Sequence, residues 1–347
     1  MTQAEFWLSE GTVVGGRYRL DAVLGIGGFG ITYRATDLRL ERPAAVKEFY
    51  PSFWASRFTE LSPEVRVLRD CGEAFEKGLA RFRQEAVTLA QLNVSGVVQV
   101  SDFFPENNTA YLVMEYLDGK NLKKMAEGFG GRIPAEILLP AISPVIAALR
   151  QVHKKGLIHR DISPDNIMML SDGSVRLIDF GNARDTTGNK SMTLAMKEGF
   201  APPEQYSSHG QGPYTDVYSL CATLYYCLTG KLPPLAMERL TGTPFYKPSE
   251  LGIPISAHQE QAIMDGLELY VKKRIQNMDE LWQRLYVPVP EPVTKITADP
   301  STVVGQTEGQ PDIPGTPTLD PFDQMILSGM SHIRGICAQI FRKVKGL

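Results

Sequence analysis

The rhythm of hydrophobic and polar positions changes near residue 116 of this chain. Before that point apolar residues fall in short runs separated by glycine and acidic turns: Arg17-Tyr18-Arg19-Leu20, Ile31-Thr32-Tyr33-Arg34-Ala35 and Ala44-Ala45-Val46-Lys47. β-Branched and aromatic residues in runs of this length predict strands of a small antiparallel sheet. A different spacing interrupts them. Phe75, Leu79, Phe82, Ala86, Leu89 and Leu92 recur every three or four positions, which predicts one helix over 75–92 with its apolar face on that sheet. The strand pattern resumes over 97–104 and 110–114, and beyond Asp118-Gly119 the spacing becomes helical, with long helices over 137–154 and 218–228. Strands first and helices afterwards predict an α+β fold of two lobes, a small antiparallel-sheet lobe with one helix and a larger helical lobe, joined at 115–119.

The last part of the chain obeys neither period. Residues 287–322 contain eight prolines and six threonines with little apolar periodicity, the composition of an extended, solvated linker. Beyond it Ile326, Met330, Ile333, Cys337, Ile340 and Val344 return to helical spacing beside Arg334, Arg342, Lys343 and Lys345. This predicts a basic amphipathic helix over 323–347, suited to docking on a protein partner, on its own folded domain or on an anionic membrane surface. The expected organisation is an N-terminal segment (1–10), a two-lobed domain (11–286, with lobes 11–116 and 117–286), the linker and the terminal helix.

Composition narrows the function without naming it. A net charge of -3 and a pI near 6 argue against nucleic acid as the main partner, because phosphate backbones demand clustered excess positive charge. Cys71, Cys221, Cys227 and Cys337 form no C-x-x-C pair, which fits a reducing compartment and buried small hydrophobes. The opening Met-Thr-Gln-Ala-Glu does not read as a secretory signal. The apolar stretch over 133–149 is broken by Glu136, Pro140 and Pro144, so no membrane span is expected. A cytoplasmic location follows, with peripheral membrane attachment through the terminal helix as the variant.

Candidate chemistry sits in five places. Gly25-Ile26-Gly27-Gly28-Phe29-Gly30 follows Leu24 and matches G-x-G-x-x-G, a pattern shared with dinucleotide-binding folds. Those need a helix at the third glycine, whereas Ile31-Thr32-Tyr33 favours a returning strand, so the loop is expected to be a hairpin covering phosphates with backbone amides. Lys47 ends an apolar strand as a single cation, the form of a lysine held under a nucleotide's α- and β-phosphates. Glu85 lies on the predicted helix where a carboxylate could orient that lysine. Finally, His159-Arg160-Asp161-Ile162-Ser163-Pro164-Asp165-Asn166 is followed by Asp179-Phe180-Gly181. That spacing supplies a carboxylate for an attacking hydroxyl, and an amide and a second carboxylate for a divalent metal, which is the equipment of phosphoryl transfer. Taken singly, each could be an ordinary glycine turn, surface lysine or solvated glutamate.

In this order the motifs resemble the eukaryotic-type (Hanks-type) serine/threonine protein kinases of bacteria, over residues 11–286. The resemblance implies a bilobal protein-kinase-like fold, ATP and Mg²⁺ as cofactors, protein substrates and autophosphorylation, in bacterial signalling. It implies that Leu24, Gly25, Gly27, Gly28, Gly30 and Lys47 hold the nucleotide, that Met114 is the gatekeeper, and that backbone groups of Glu115 and Leu117 face adenine. Asp161 becomes the catalytic base, Asn166 and Asp179 the metal ligands, and His159 and Phe180 packing residues. Arg160 becomes an anchor for a phosphorylated activation segment ending at Ala201-Pro202-Pro203-Glu204, with Glu204 paired to Arg274. Asp216 holds the catalytic loop from below, and Cys221 stands where glycine is common. Pro164 favours Ser/Thr over Tyr as acceptor. The rivals are a pseudokinase serving as a nucleotide-sensing scaffold, against which Lys47, Glu85, Asp161, Asn166 and Asp179 speak, and a small-molecule kinase, against which the full activation segment speaks.

Two departures from that pattern belong together. Ser163 stands where such kinases carry a lysine reaching the γ-phosphate, so the loop is one cation short for the transition state. Lys197, seven residues before Glu204, stands where a threonine is usual. The expectation is that the ammonium has moved, Lys197 reaching into the space Ser163 leaves; the rival is a solvent-facing lysine. Thr186, Thr187, Ser191 and Thr193 become candidate autophosphorylation positions. The connection over 48–73 is also long, and its Phe49, Tyr50, Phe53, Trp54 and Phe58 are expected to pack over the small lobe, with regulator binding as the alternative.

Overall fold

A computed structural model of the chain describes residues 6–57, 62–180, 184–185, 197–206 and 210–287. Phe58, Gly181, the four candidate phosphorylation positions and, from residue 288 on, the linker and terminal helix lie outside the described residues.

The small lobe opens with β1 (Val13–Val14), β2 (Tyr18–Ile26), β3 (Gly30–Asp37) and β4 (Arg42–Phe49). A two-stranded ribbon, β5 (Ala55–Ser56) and β6 (Arg66–Val67), leads to α1 (Gly72–Gln91), followed by β7 (Val100–Glu106) and β8 (Thr109–Glu115). The antiparallel sheet runs β1-β2-β3-β4-β8-β7. Its β4 lies inside the sheet, and Ala44, Ala45 and Val46 are accordingly buried on both faces. A strand, not a helix, follows the glycine loop: Gly27 N–H bonds Gly30 C=O at 2.8 Å and β3 begins at Gly30. A Cβ on Gly30 would stand 2.5 Å from the Glu48 carbonyl oxygen, so this close approach needs glycine. α1 buries Phe75, Phe82, Ala86 and Leu89, with Phe75 and Phe82 at 5.2 and 5.7 Å from the Phe49 ring. Each such side chain contributes about 1.5–3 kcal/mol through burial, and Phe82→Ala would cost ~3–5 kcal/mol.

β7 starts later than its apolar pattern predicts. Val97 bridges Leu177, and Val98 N–H bonds the Leu177 carbonyl at 3.0 Å, so this segment ties the small lobe to the loop ahead of Asp179 before the chain joins the sheet. The partner of this β-branched segment is in the other lobe.

The large lobe contains β9 (Gly119–Asn121), α2 (Leu122–Gly128), α3 (Ala135–Lys154), β10 (Leu157–Ile158), β11 (Ile167–Leu170), β12 (Val175–Leu177) and β13 (Arg184–Asp185), then α4 (Pro213–Thr229), α5 (Ala236–Leu240), α6 (Ala257–Gly266) and α7 (Met278–Tyr286). α3 continues through Pro140 and Pro144 despite two lost backbone donors, because Leu138, Leu139, Ile142, Val145, Ile146 and Leu149 are buried along it. It is the one described helix long and apolar enough to cross a membrane by length and composition, and it is a core helix of the lobe. Cys221 on α4 is wholly buried, and a Cβ on Gly266 of α6 would collide with its sulfur. The cysteine is thus accommodated by a glycine on the facing helix. Cys227 is buried and Cys71 half-buried.

The aromatic connection wraps the small lobe. Phe49, Tyr50 and Ala55 are buried, Trp54 makes an edge contact with Phe29 of the glycine loop at 5.6 Å, and Phe53 is 71% exposed. The N-terminal segment joins this wrapping: Phe6 stacks on Tyr50 at 5.6 Å, and the buried Leu8 donates its N–H to the Tyr33 hydroxyl at 3.1 Å.

Candidate active site

The β11–β12 hairpin brings the two central motifs together. Asn166 precedes β11 and Asp179 follows β12; the pairing of Ile167 with Leu177 and the 2.9 Å bond from Ile178 N–H to Asn166 C=O clamp them side by side. The loop before Asn166 is tied from below by Asp216, near the start of α4. Its Oδ2 accepts the His159 N–H and its Oδ1 the Arg160 N–H, both at 2.8 Å, while His153 Nε2 lies 2.7 Å from Oδ2. Burial would raise the Asp216 carboxyl, but the bond from His153 and the surrounding charges outweigh it and hold the group below its ordinary range. Arg160 and Asp179 both take left-handed backbone, at φ 69° and 64°. Such residues cost about 1–3 kcal/mol each and persist only where their surroundings fix them. Here Asp216 fixes the first, and the contact of Phe180 with the His159 ring, centroids 4.4 Å apart, braces the second.

The small lobe contributes Lys47. Strand alternation turns it to the same face of β4 as Phe49, toward α1, where its Nζ lies 3.0 Å from Glu85 Oε1 and 3.1 Å from Asp179 Oδ1. Burial pushes Glu85 up against the pull of Lys47. For Lys47, burial works downward but the charges of Asp179 and Glu85 prevail, holding its ammonium above the ordinary value. Leu24 and Gly25 lie on β2 and Gly27 and Gly28 in the turn above the cleft. Met114 and Glu115 end β8. The Glu115 N–H is committed to the Gln99 carbonyl at 2.9 Å.

Asp161 faces the same cleft. Burial pushes its carboxyl up to about 6, with the charge of Lys197 the strongest influence opposing the rise. Asn166 Nδ2 donates to the Asp161 carbonyl at 2.8 Å and to its Oδ2 at 3.2 Å. Lys197 Nζ donates to the Oγ of the wholly buried Ser163 at 2.8 Å and lies 3.5 Å from Asp165 Oδ2. Below them Arg274 clasps Glu204 through two guanidinium nitrogens, at 2.5 and 3.1 Å, and also donates to the Glu268, Leu269 and Tyr214 carbonyls. Breaking so buried a pair costs about 3–5 kcal/mol.

Three contributors escape the motif pattern: His153, which supports Asp216; Gln205, whose Nε2 bonds the Arg160 carbonyl at 2.7 Å; and Thr215, whose hydroxyl bonds Glu204 at 3.1 Å. A weak signal for Gln205 is its place next to Glu204. His153 and Thr215 carry none, being ordinary helix residues in sequence.

Comparison with known proteins agrees with this geometry. Residues 18–243 match the family described as protein kinase domain. A probable serine/threonine-protein kinase of Clostridium acetobutylicum is 30% identical over 321 residues, covering 87% of this chain and 45% of that protein. The Mycobacterium tuberculosis serine/threonine-protein kinases PknL (33% identical, covering 65% of this chain and 52% of PknL) and PknA (34%, covering 64% and 49%) are also similar. The chain thus spans about half the length of the curated relatives it matches. A solved structure described as the apo form of PpkA-294 superposes with a TM-score of 0.73 at 33% identity, covering 81% of this chain and 100% of that one. With the glycine hairpin, the Lys47–Glu85 pair and the clamped Asn166–Asp179 loops in one cleft, and with that family match spanning both lobes, the chain belongs to the protein kinase family.

Proposed function

We propose that this chain transfers the γ-phosphoryl group of ATP to serine or threonine hydroxyls of proteins, its own activation segment included. Family membership implies ATP and a divalent metal. The observation that carries the reading is the meeting of Asp161, Asn166 and Asp179 in one cleft with Lys47 already paired to Glu85.

The donor set suits Mg²⁺. Asn166 uses its Nδ2 on Asp161, leaving its Oδ1, and Asp179 brings a carboxylate into the same cleft beside Lys47. Two hard oxygens from protein, completed by phosphate oxygens and water, are what Mg²⁺ favours. When bound, the ion would neutralise charge developing between the β- and γ-phosphates.

The chain's own groups then do the rest. Lys47, oriented by Glu85, meets α- and β-phosphate oxygens, and the Gly25 to Gly30 hairpin covers them with backbone amides. The Glu115 N–H being taken, its carbonyl and the backbone of Leu117 serve adenine. Asp161 is ionised at neutral pH yet more basic than an exposed aspartate, and Asn166 fixes the Oδ2 that accepts the hydroxyl proton. Arg160, Glu204, Asp216 and Arg274 hold loops and activation segment in place and touch no reacting atom.

Transfer of ³²P from ATP to a general protein acceptor and to the chain itself tests this, with Asp161→Asn as control. Label on serine or threonine that disappears in the variant is the expected result. Nucleotide binding with no transfer would sink the reading and leave a nucleotide-sensing scaffold.

A further inference from the structure

We propose that the cation stabilising the transferring phosphoryl group comes from the activation segment, as the Lys197 ammonium seated on Ser163, and not from the catalytic loop. This rests on the kinase reading above. It makes Lys197 a catalytic residue that serves a loop with no cation of its own between Asp161 and Asn166.

Charge bookkeeping around the reacting position motivates it. The loop presents Asp161 and Asp165 and the neighbouring hairpin presents Asp179, while the small lobe's Lys47 already serves Glu85 and Asp179. A phosphoryl group arriving beside Asp161 would meet these three carboxylates. Lys197 is the residue whose ammonium reaches this space, 2.8 Å from Ser163 Oγ and 3.5 Å from Asp165 Oδ2. Asp161 feels its charge more than any other nearby cation.

The bland reading is a surface pair with Asp165, worth about 0–1 kcal/mol. Three observations weigh against it. The shorter contact is to the hydroxyl of Ser163, which is wholly buried, and not to the carboxylate. The Lys197 side chain is only 35% exposed, so its stem runs inward. Its backbone is seated as well: Phe200 N–H bonds the Lys197 carbonyl at 3.1 Å, Phe200 packs edge-on to Tyr226 of α4, and four residues on Glu204 is locked to Arg274. A flexible cation has been given a fixed base and a short hydroxyl to rest on. Serine suits that seat because a longer side chain at 163 would fill the space the ammonium occupies.

One consequence is regulatory. A cation carried by the catalytic loop is present whenever the loop is folded, whereas this one is present only when the segment leading to Glu204 is seated. Segment order and transition-state charge become one variable.

The test uses the full chain and three measurements on Lys197→Met: turnover, calorimetric affinity for Mg²⁺ with a non-hydrolysable ATP analogue, and affinity for Mg²⁺-ADP with aluminium fluoride as a mimic of the transferring phosphoryl. Removing one donor from such a site costs about 10²–10³-fold. We expect turnover and mimic affinity to fall together by at least ~10-fold while analogue affinity stays within ~3-fold. The double variant Ser163→Lys with Lys197→Thr should recover at least ~10-fold of the lost turnover by returning the cation to the loop. Turnover of Lys197→Met within ~2-fold of wild type, or equal losses for analogue and mimic, overturns the proposal. Transfer that Asp161→Asn abolishes and Lys197→Met leaves intact sinks the relocated cation alone; a wild-type chain that transfers nothing sinks the kinase reading, and this inference with it.

Discussion

Lys47 and Glu48 are consecutive on β4, and each forms an ion pair, yet the two pairs serve opposite ends. Strand alternation sends Lys47 to the α1 face and Glu48 to the outer face, beside Tyr33 of β3 and Tyr111 of β8. On the outer face the charges are closed off. Glu48 and Arg57 have fully buried side chains, and Glu48 also accepts the hydroxyls of Tyr33 and Tyr111, each at 2.9 Å. On the cleft face the Lys47 side chain remains 20% exposed and is shared between Glu85 and Asp179. On the proposed function the difference is one of availability: one pair has its acceptor capacity filled, while the other keeps a second partner and an opening through which a phosphate could take over.

Removing Arg57 should have the largest effect. Arg57→Met leaves Glu48 buried without its cation, and we expect a loss of about 3–5 kcal/mol in chemical denaturation, with turnover per folded molecule little changed. Replacing both partners, Glu48→Leu with Arg57→Met, should cost less than the single change, since no bare charge remains. A double variant as unstable as the single one would break the comparison.

Lys47→Met should reverse the pattern. Turnover is expected to fall at least ~100-fold, equivalent to ~2.7 kcal/mol of transition-state stabilisation, in the same ³²P assay. Stability should fall by less than about 1.5 kcal/mol, because Glu85, already pushed up by burial, can take a proton. Glu85→Gln keeps an acceptor for Lys47 but loses the charge, and a ~10-fold loss of turnover, or ~1.4 kcal/mol, is expected. The smallest effect belongs to Phe53→Ser on the connection that carries Arg57. That side chain is 71% exposed, so stability should move by no more than about 0.5 kcal/mol. A larger shift would mean that the tip of the wrapping, and not only its buried base, supports the small lobe.

The same contrast separates what could be read from the chain from what could not. That Asn166 and Asp179 stand side by side was legible because they flank a single hairpin, and Lys47 stood out as one cation after an apolar run, although β4 runs on through Glu48 to Phe49. Element types were legible too, since periods of about two and 3.6 follow from backbone hydrogen bonding. The boundary of β7 was not, because Val97 and Val98 find their partner at Leu177 in the other lobe. Nor was the role of Arg57: an arginine in a long connection looks solvated until the fold turns it under the sheet toward Glu48. His153 likewise gains its meaning only from the crossing of α3 and α4 that brings Asp216 to it.

Ser163 and Lys197 mark the border between the two kinds of knowledge. Sequence alone determined that the loop carries no lysine and that a lysine stands seven residues before Glu204, because those are matters of composition and spacing. Only the tertiary structure decided that the two meet, at 2.8 Å across 34 positions. Spacing limits how far a side chain can reach, but its direction is set by the packing of the backbone that carries it, here the Phe200 turn on α4 and the buried Glu204–Arg274 pair.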